Sequence, residues 1–183
     1  MQCRCENFNG PCVFVHGDVE NFHDALIIEK TMSCKNAALA GYQSLLSGAS
    51  SVQAVEITLW WLECDEFFNC GYGSVVNNIG DVQMDASIVD GFKSECGSVA
   101  AVSGVEHPIS LARYVLNNFP NSIIVGKGAK KITEYTKLNW VSKENMMAPM
   151  SYLAYDKLKV TDSSIINLDI ENHHLLEELA SKL

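Results

Sequence analysis

The middle of the chain, Cys64–Val102, consists of short apolar runs separated by glycine-containing turn signals, and it restricts the possible folds most. Ile79-Gly80-Asp81 and Asp90-Gly91 combine glycine with aspartate, which is typical of tight turns between strands. The runs around the first turn, Val75–Asn78 and Val82–Val89, therefore predict a hairpin. We expect a β meander at the centre of the fold.

Helical patterns lie on both sides of this meander. Phe22–Leu46 favours a helix, and Val52–Glu63 favours a second one, with an N-cap at Ser50 or Ser51 and apolar residues 52, 55, 59 and 62 on one face. This order of elements predicts an α/β fold in which helices cover a sheet. Buried strands are predicted at Val13-Phe14-Val15 and Asn121–Val125, and a strand of small residues at Ser98–Val102, which suits close packing of another layer. Further helices are predicted over Pro108–Phe119, from about Ala129, and over 142–159 with a break at Pro149.

Composition excludes several classes of protein. The 183 residues are 48% hydrophobic and 19% charged, which fits one globular domain. A net charge of −9 argues against nucleic-acid binding, and we interpret the lysines at 127, 130, 131 and 137 as a solvated face. No apolar run reaches the ~18 residues of a membrane helix, so we expect no membrane partner.

The ends of the chain and the cysteines bear on location. Residues 1–10 lack the apolar stretch of a signal peptide and are expected to be a flexible N-terminus, residues 11–160 a domain, and residues 161–183 a linker-like tail. We interpret the seven cysteines as reduced thiols of a cytoplasmic protein. The alternative is a peroxisomal protein, if Ser181-Lys182-Leu183 is a native and exposed C-terminus.

Local motifs do not identify an activity. The sequence has no phosphate-binding G-x-x-x-x-G-K-[ST] loop, no complete G-x-G-x-x-G and no G-x-S-x-G. Cys3-x-Cys5 and His173-His174 are interpreted as incidental rather than as zinc ligands, and the remaining histidines have no partner at a ligand spacing. Asp85 interrupts an apolar strand, and we interpret it as a structural residue that accepts backbone N–H bonds rather than as a catalytic one.

Six segments, in this order and spacing over residues 12–160, carry a family resemblance. Together they resemble the α-subunit of the plant-type asparaginase, isoaspartyl peptidase and threonine aspartase family of N-terminal-nucleophile hydrolases. The segments are Ser50–Glu63, Phe68–Val76, Asp81–Gly91, Cys96–Val102, His107–Arg113 and Ile123–Ala129.

The resemblance implies a four-layer αββα sandwich and a nucleophilic threonine. In the family, self-cleavage exposes this threonine at a new N-terminus, where its own amine acts as the base. The family's threonine opens a G/D-T-V-G-A-V-like segment, whereas this chain offers only Thr161-Asp162-Ser163-Ser164. We therefore expect a partial sandwich that lacks the β-subunit strands and helices, with no catalytic residue in this chain.

Site residues follow from the same resemblance. His16, Gly17 and Asn69 match residues that support the family's active site, but the glycine loop His-Gly-Gly-Ala-Gly reads His16-Gly17-Asp18-Val19-Glu20 here. The resemblance implies that these added carboxylates come near the place where an acidic substrate would sit. The family's sodium-binding loop also has a counterpart, with backbone carbonyl ligands expected from Leu62, Glu63, Asp65, Phe68, Cys70 and Tyr72.

Three interpretations remain open. The chain is an α-subunit that needs a β half in trans, a non-catalytic paralogue that binds a full-length relative, or part of a gene whose coding sequence continues beyond codon 183. An isolated α half would leave sheet edges and one apolar sheet face uncovered, most of all at Val82–Val89 and Ser98–Val102. We therefore expect the protein alone to be marginally stable, self-associated or bound to a full-length relative.

Overall fold

The computed structural model describes residues 10–17 and 26–161, with side chains up to residue 156 in the last helix. The predictions for residues 1–9 and for the tail 162–183, including its terminal Ser-Lys-Leu, lie outside the described residues, as do Asp18, Val19 and Glu20. The described part is an α/β structure. None of its helices is both long enough and apolar enough to cross a membrane.

The first two helices, α1 (Ile27–Leu46) and α2 (Ser51–Glu63), form an antiparallel hairpin. The predicted N-cap of α2 is confirmed, because the Ser50 hydroxyl accepts the Gln53 N–H at 3.2 Å and the Gln53 side chain accepts the Ser50 N–H at 3.0 Å. The helices approach closely at Gly41, where a Cβ atom would collide with the Thr58 hydroxyl.

Among the described residues the sheet has three strands in the order β1-β2-β3, namely β1 (Met84–Asp90), β2 (Glu95–Val102) and β3 (Ile123–Val125). β1 and β2 are antiparallel and joined by the predicted turn at Asp90-Gly91, whereas β2 and β3 are parallel. β2 is therefore the central strand. Ser98–Val102 has no free edge, because strands pair with it on both sides.

Helix α3 (Pro108–Asn118) covers one face of the sheet and forms the main core with it. Pro108 occupies the first turn, as predicted. Side chains of Val99 and Val102 from β2 and of Leu111 and Val115 from α3 are 0–1% exposed. The close packing predicted for the small-residue strand is confirmed at Gly97, where a Cβ atom would meet the backbone of α3.

Three further helices follow the sheet. They are α4 (Gly126–Thr133), α5 (Lys143–Met146) and α6 (Pro149–Thr161). The predicted break at Pro149 is confirmed, since α6 begins there. Helix α4 starts three residues before the predicted Ala129, and no side-chain cap marks its start.

Three predicted elements differ from the structure. Residues 11–17 form no strand, and Phe14 is 92% exposed, because no described strand pairs with this segment. The predicted Val75–Asn78 and Val82–Val89 hairpin is reduced to one bridge between Val76 and Val82, since β1 pairs with β2 instead. β3 is an edge strand, and its Ile123 and Val125 are each 56% exposed rather than buried.

Candidate functional site

The loop after α2 brings backbone carbonyl oxygens together at Gly73. The oxygens of Asp65, Glu66 and Phe68 all lie within 2.9 Å of the position that a Cβ atom of Gly73 would occupy. A side chain there would displace them, so glycine allows the convergence. Asp65 and Phe68 belong to the predicted sodium-ligand set, and Glu66 is an addition that the sequence did not predict.

Most of the predicted ligand carbonyls also accept backbone N–H groups, and the Phe68 carbonyl itself accepts the Cys70 N–H at 2.7 Å. The Leu62 carbonyl accepts the Asp65 N–H at 3.1 Å, and the Cys70 carbonyl accepts the Gly73 N–H at 3.1 Å. The Tyr72 carbonyl accepts the N–H of Ala148 at 3.2 Å. The Glu63 carbonyl faces Gly71, which has a positive φ of 54°.

The His16-Gly17 pair lies beside this loop. A Cβ atom on Gly17 would collide with the Phe68 ring and would lie 2.7 Å from the Cys34 sulfur. Burial raises the pKa of the Cys34 thiol, the charge of Asp65 raises it further, and a backbone hydrogen bond from Gly17 lowers it. His16 itself is exposed. Of the predicted support residues, Gly17 is thus in contact with the loop.

Asn69 fixes the backbone at the end of the loop. Its Oδ1 atom accepts the N–H of Val75 at 3.1 Å, across six positions of the chain. This bond uses the side chain to fix the backbone, which agrees with an organising role rather than a reacting one. Asn69 is exposed.

The Glu63 carboxylate ties the loop to α3, and sequence reasoning missed this role. Its oxygens accept the Ile109 N–H at 2.9 Å and meet His107 Nδ1 at 3.0 Å. An anion at a helix N-terminus is favoured by the free N–H groups and the helix dipole. Burial nonetheless raises the pKa of Glu63, and the hydrogen bond from His107 opposes this rise. From the sequence, His107 has no partner at a metal-ligand spacing, and its partner here is the Glu63 carboxylate, 44 positions earlier in the chain.

A second buried carboxylate extends the contact between α2 and α3. Glu56 accepts the Ser110 hydroxyl at 2.7 Å and pairs with Arg113. The indole N–H of Trp60 donates to Ser110 at 2.7 Å, and its ring stacks on His107 with centroids 5.0 Å apart. The carboxylates at positions 56 and 63 lie two turns apart on α2, a helical spacing that could have indicated a shared buried face.

Asp85 has the structural role that the sequence predicted. The antiparallel register shifts between Met84 and Ala86, which forms a β-bulge. At this bulge Asp85 Oδ1 accepts the N–H of Ala101 at 2.7 Å, and Ala101 has a positive φ of 52°. The carboxylate therefore holds a backbone conformation that is unfavourable for alanine.

The threonine hydroxyls are engaged in local hydrogen bonds. Four of the chain's threonines have described side chains, and each donates to a carbonyl three or four residues earlier. Such hydroxyls lie within or next to helices, away from any chain terminus. The four are Thr31, Thr58, Thr133 and Thr136. Within residues 10–17 and 26–161, no group of three His, Cys, Asp or Glu side chains could hold a metal ion.

Comparisons with known proteins give this chain a family and a set of relatives. Residues 9–175 match the family described as Asparaginase. Curated relatives named isoaspartyl peptidase/L-asparaginase include a Mus musculus protein, 40% identical over 68% of this chain, and a Rattus norvegicus protein, 47% identical over 52%. A Bos taurus protein of the same name is 34% identical over 82% of the chain. The chain spans 38%, 28% and 49% of the length of these three relatives, in their N-terminal part.

Proposed function

The chain belongs to the asparaginase family, and from this premise we propose that its residues form the supporting half of a threonine-nucleophile amidohydrolase site. In this proposal the substrates are asparagine or β-aspartyl peptides, as the names of the relatives suggest. In this proposal the 183-residue polypeptide does not turn over substrate by itself, as expected of a pseudoenzyme.

The observation that carries the proposal is the contact between Gly17 and the carbonyl loop. Gly17 lies against Phe68, and the Phe68 carbonyl is one of three that converge at Gly73. In the family the corresponding glycine segment lies against the nucleophile. The chain thus assembles the platform on which a nucleophile from another segment would rest.

The environments of the described threonines support the proposal that the polypeptide is inactive. A threonine of this enzyme class reacts through a hydroxyl whose proton passes to the free α-amine of the same residue. Thr31, Thr58 and Thr133 donate their hydroxyls within helices, where the α-amine is part of a peptide bond. None of these residues has the free amine that the reaction requires.

The test combines an ammonia-release assay with L-asparagine, detection of the L-aspartate freed from a β-aspartyl dipeptide, and intact-mass analysis of the purified polypeptide. We expect no self-cleavage and no turnover, while the full-length mouse relative serves as the active control. Addition of that relative's C-terminal part should restore measurable turnover. Turnover by the polypeptide alone that disappears in Thr161→Ala would overturn the proposal.

A β half in trans is supported by the open face of the sheet. Ile123 and Val125 on β3 and Val89 on β1 are 56–63% exposed on the face opposite α3. An αββα sandwich would place a second sheet against this face. In the proposal, the missing strands cover these residues and complete the sandwich.

The alternative is a non-catalytic paralogue that binds a full-length relative. The same open face supports it, together with Asp18 and Glu20, which replace glycines of the family pattern. Mixing the polypeptide with the full-length mouse relative distinguishes the supporting half of an enzyme from a non-catalytic paralogue. Co-elution without any gain in turnover, and no rescue by the C-terminal part, would favour the paralogue.

A sodium ion in the carbonyl loop is the proposed cofactor, and it would neutralise carbonyl dipoles and fix the loop beside Gly17. Hard cations prefer oxygen ligands, and the converging oxygens of Asp65, Glu66 and Phe68 provide them. Melting temperatures in sodium and in choline chloride at equal ionic strength test this. We expect a higher Tm in sodium, and a Gly73→Ala protein should lose the difference; equal values for the parent protein would contradict the site.

We propose a reducing, cytoplasmic compartment for the protein. The described cysteines at 12, 34, 64, 70 and 96 are all free thiols, which suits such a compartment. Microscopy of a fluorescent fusion at each terminus tests this, because only the N-terminal fusion leaves a C-terminal Ser-Lys-Leu free.

A further inference from the structure

A cavity lies between α4 and the segment after it, away from the carbonyl loop. Its volume is about 340 Å³, within the ~300–1,000 Å³ typical of small-molecule sites. The lining includes the apolar side chains of Val105, Leu138 and Trp140. No residue of the proposed hydrolase site lines it, so its function is a separate question.

Trp140 is held in place but remains open to a ligand. Its ring rests on the backbone of Gly104, where a Cβ atom would overlap the indole. Backbone pairing fixes its position, because the Val141 N–H donates to the Gly104 carbonyl at 3.0 Å and Trp140 bridges to Val105. The side chain is still 56% exposed. A half-exposed indole backed by main chain provides a flat surface on which an apolar group can stack.

Charged groups of both signs stand at the same cavity. The Lys130 ammonium lies 5.3 Å from the centroid of the Trp140 ring, which places a cation beside the apolar surface. Glu134 follows one turn later on the helix and also lines the cavity. The ion pairs found among the described residues involve neither Lys130 nor Glu134, so each charge can bind a ligand.

Asn139 adds a directed acceptor. Its amide Nδ2 donates to Glu106 at 2.8 Å, which fixes the orientation of the side chain. Asn139 lines the cavity, and no hydrogen bond to its Oδ1 atom is found among the described residues. The lining therefore offers one cation, one carboxylate and one amide oxygen beside an apolar floor.

We propose that this cavity binds a free α-amino acid with an apolar or aromatic side chain. The ligand's carboxylate pairs with Lys130, its ammonium pairs with Glu134 and Asn139 Oδ1, and its side chain stacks on Trp140 against Val105 and Leu138. A zwitterion matches a lining that carries both charges and has no net charge, whereas a simple carboxylate or amine would leave one charge unpaired.

Calorimetric titration of the purified chain with L-phenylalanine tests the proposal. We expect saturable binding with a Kd on the order of 1 mM. The comparison ligands are 3-phenylpropionate, which lacks the ammonium, 2-phenylethylamine, which lacks the carboxylate, and L-alanine, which lacks the ring. Each should bind at least about fivefold more weakly. Absence of saturation up to about 10 mM phenylalanine, or equal binding of any comparison ligand, would overturn the proposal.

Variants locate the site without disturbing the core. Lys130→Gln and Glu134→Gln change exposed side chains, and each should weaken phenylalanine binding at least about fivefold. The matched control is Lys131→Gln, which removes the same charge from a neighbouring exposed position outside the cavity. Unchanged binding in both cavity variants, or equal loss in the control, would contradict the assignment.

Discussion

At the scale of single residues, the cysteine thiols differ in their solvent exposure. Burial raises the pKa of Cys70 to about 12, and the nearby charges of Glu63 and Asp65 add to the rise. The thiolate is the reactive form of cysteine. Cys96 is exposed on β2 and has no such burial.

We predict that Cys70 resists alkylation in the folded protein. With iodoacetamide at pH 8, peptide mass spectrometry should find Cys96 labelled while Cys70 stays largely unlabelled. Unfolding in guanidinium serves as the control, since both should then react alike. Equal labelling rates in the native protein would show that the loop opens readily.

The carboxylate at the β-bulge leads to a second prediction. Asp85→Ala removes the acceptor for Ala101 N–H and should lower the free energy of unfolding by about 1–2 kcal/mol. Asp85→Asn keeps an acceptor oxygen and should cost less. Ala101→Gly relieves the positive φ and should not destabilise the protein. Chemical denaturation measures all three, and equal stability of Asp85→Ala and the parent would contradict the role of this bond.

Some residue roles were predictable from the sequence and others were not. Asp85 could be interpreted as structural because a carboxylate in an apolar strand needs donors, and the Ala101 N–H supplies one. The Glu63 and His107 pair spans 44 positions, and only the packing of α2 on α3 brings it together. The carbonyl loop as an ion site came from family resemblance and stays a prediction, since backbone carbonyls leave little trace in the identity of the side chains.

At the scale of elements, local signals located helix starts well. Ser50 and Pro108 mark their helices because capping and a fixed φ act within one turn. Strand burial was predicted poorly, since it depends on partners distant in the chain. Val13-Phe14-Val15 has the composition of a core strand, but no described strand lies beside it.

The contact between β2 and α3 gives a third prediction. Gly97→Ala places a methyl group against the Ala112 carbonyl and Leu116 N–H of α3. Because both neighbours are backbone, relief requires moving the helix, and we expect a loss of about 1–3 kcal/mol in unfolding free energy. Gly91→Ala is the matched control, since nothing lies within 4 Å of its Cβ position. Equal melting temperatures for the two variants would contradict this packing.

The buried Glu63 carboxylate, which links α2 to α3, predicts that stability depends on pH. The pKa of Glu63 is raised above its ordinary value of 4.5, chiefly by burial, so the folded state binds this proton more tightly than the unfolded chain. The contribution of Glu63 to the free energy of unfolding is fully present below pH 4.5, and it is lost as the pH rises through the pKa of the folded state.

Glu63→Gln tests this dependence. Glutamine can still accept the Ile109 N–H, and it cannot ionise. The stability of the variant relative to the parent should therefore increase as pH rises from 4 to 7. Urea denaturation at several pH values measures the difference. A difference that is constant, or that changes in the opposite direction, would contradict the raised pKa.

At the scale of the whole molecule, the described part of the chain covers one face of the sheet and leaves the other open. Helix α3 covers the first, where Val99 and Val102 are buried. On the other face, Val89 is paired with Cys96 and Ser98 with Ile123, and all four side chains are small or apolar. The outer edge of β1 is also unpaired in the described part of the chain. Apolar faces and free edges of this kind favour association.

We therefore predict that the purified polypeptide self-associates through this open face and binds a dye specific for apolar surface. The double variant Ile123→Lys and Val125→Lys should shift the protein towards monomer in size-exclusion chromatography and reduce dye fluorescence, because charges at an interface resist burial. Phe92→Ser is the control, since Phe92 is 98% exposed but lies in the turn between β1 and β2. If the parent is a compact monomer that binds no dye, the open face is stable in water and needs neither a second copy nor a β half to cover it.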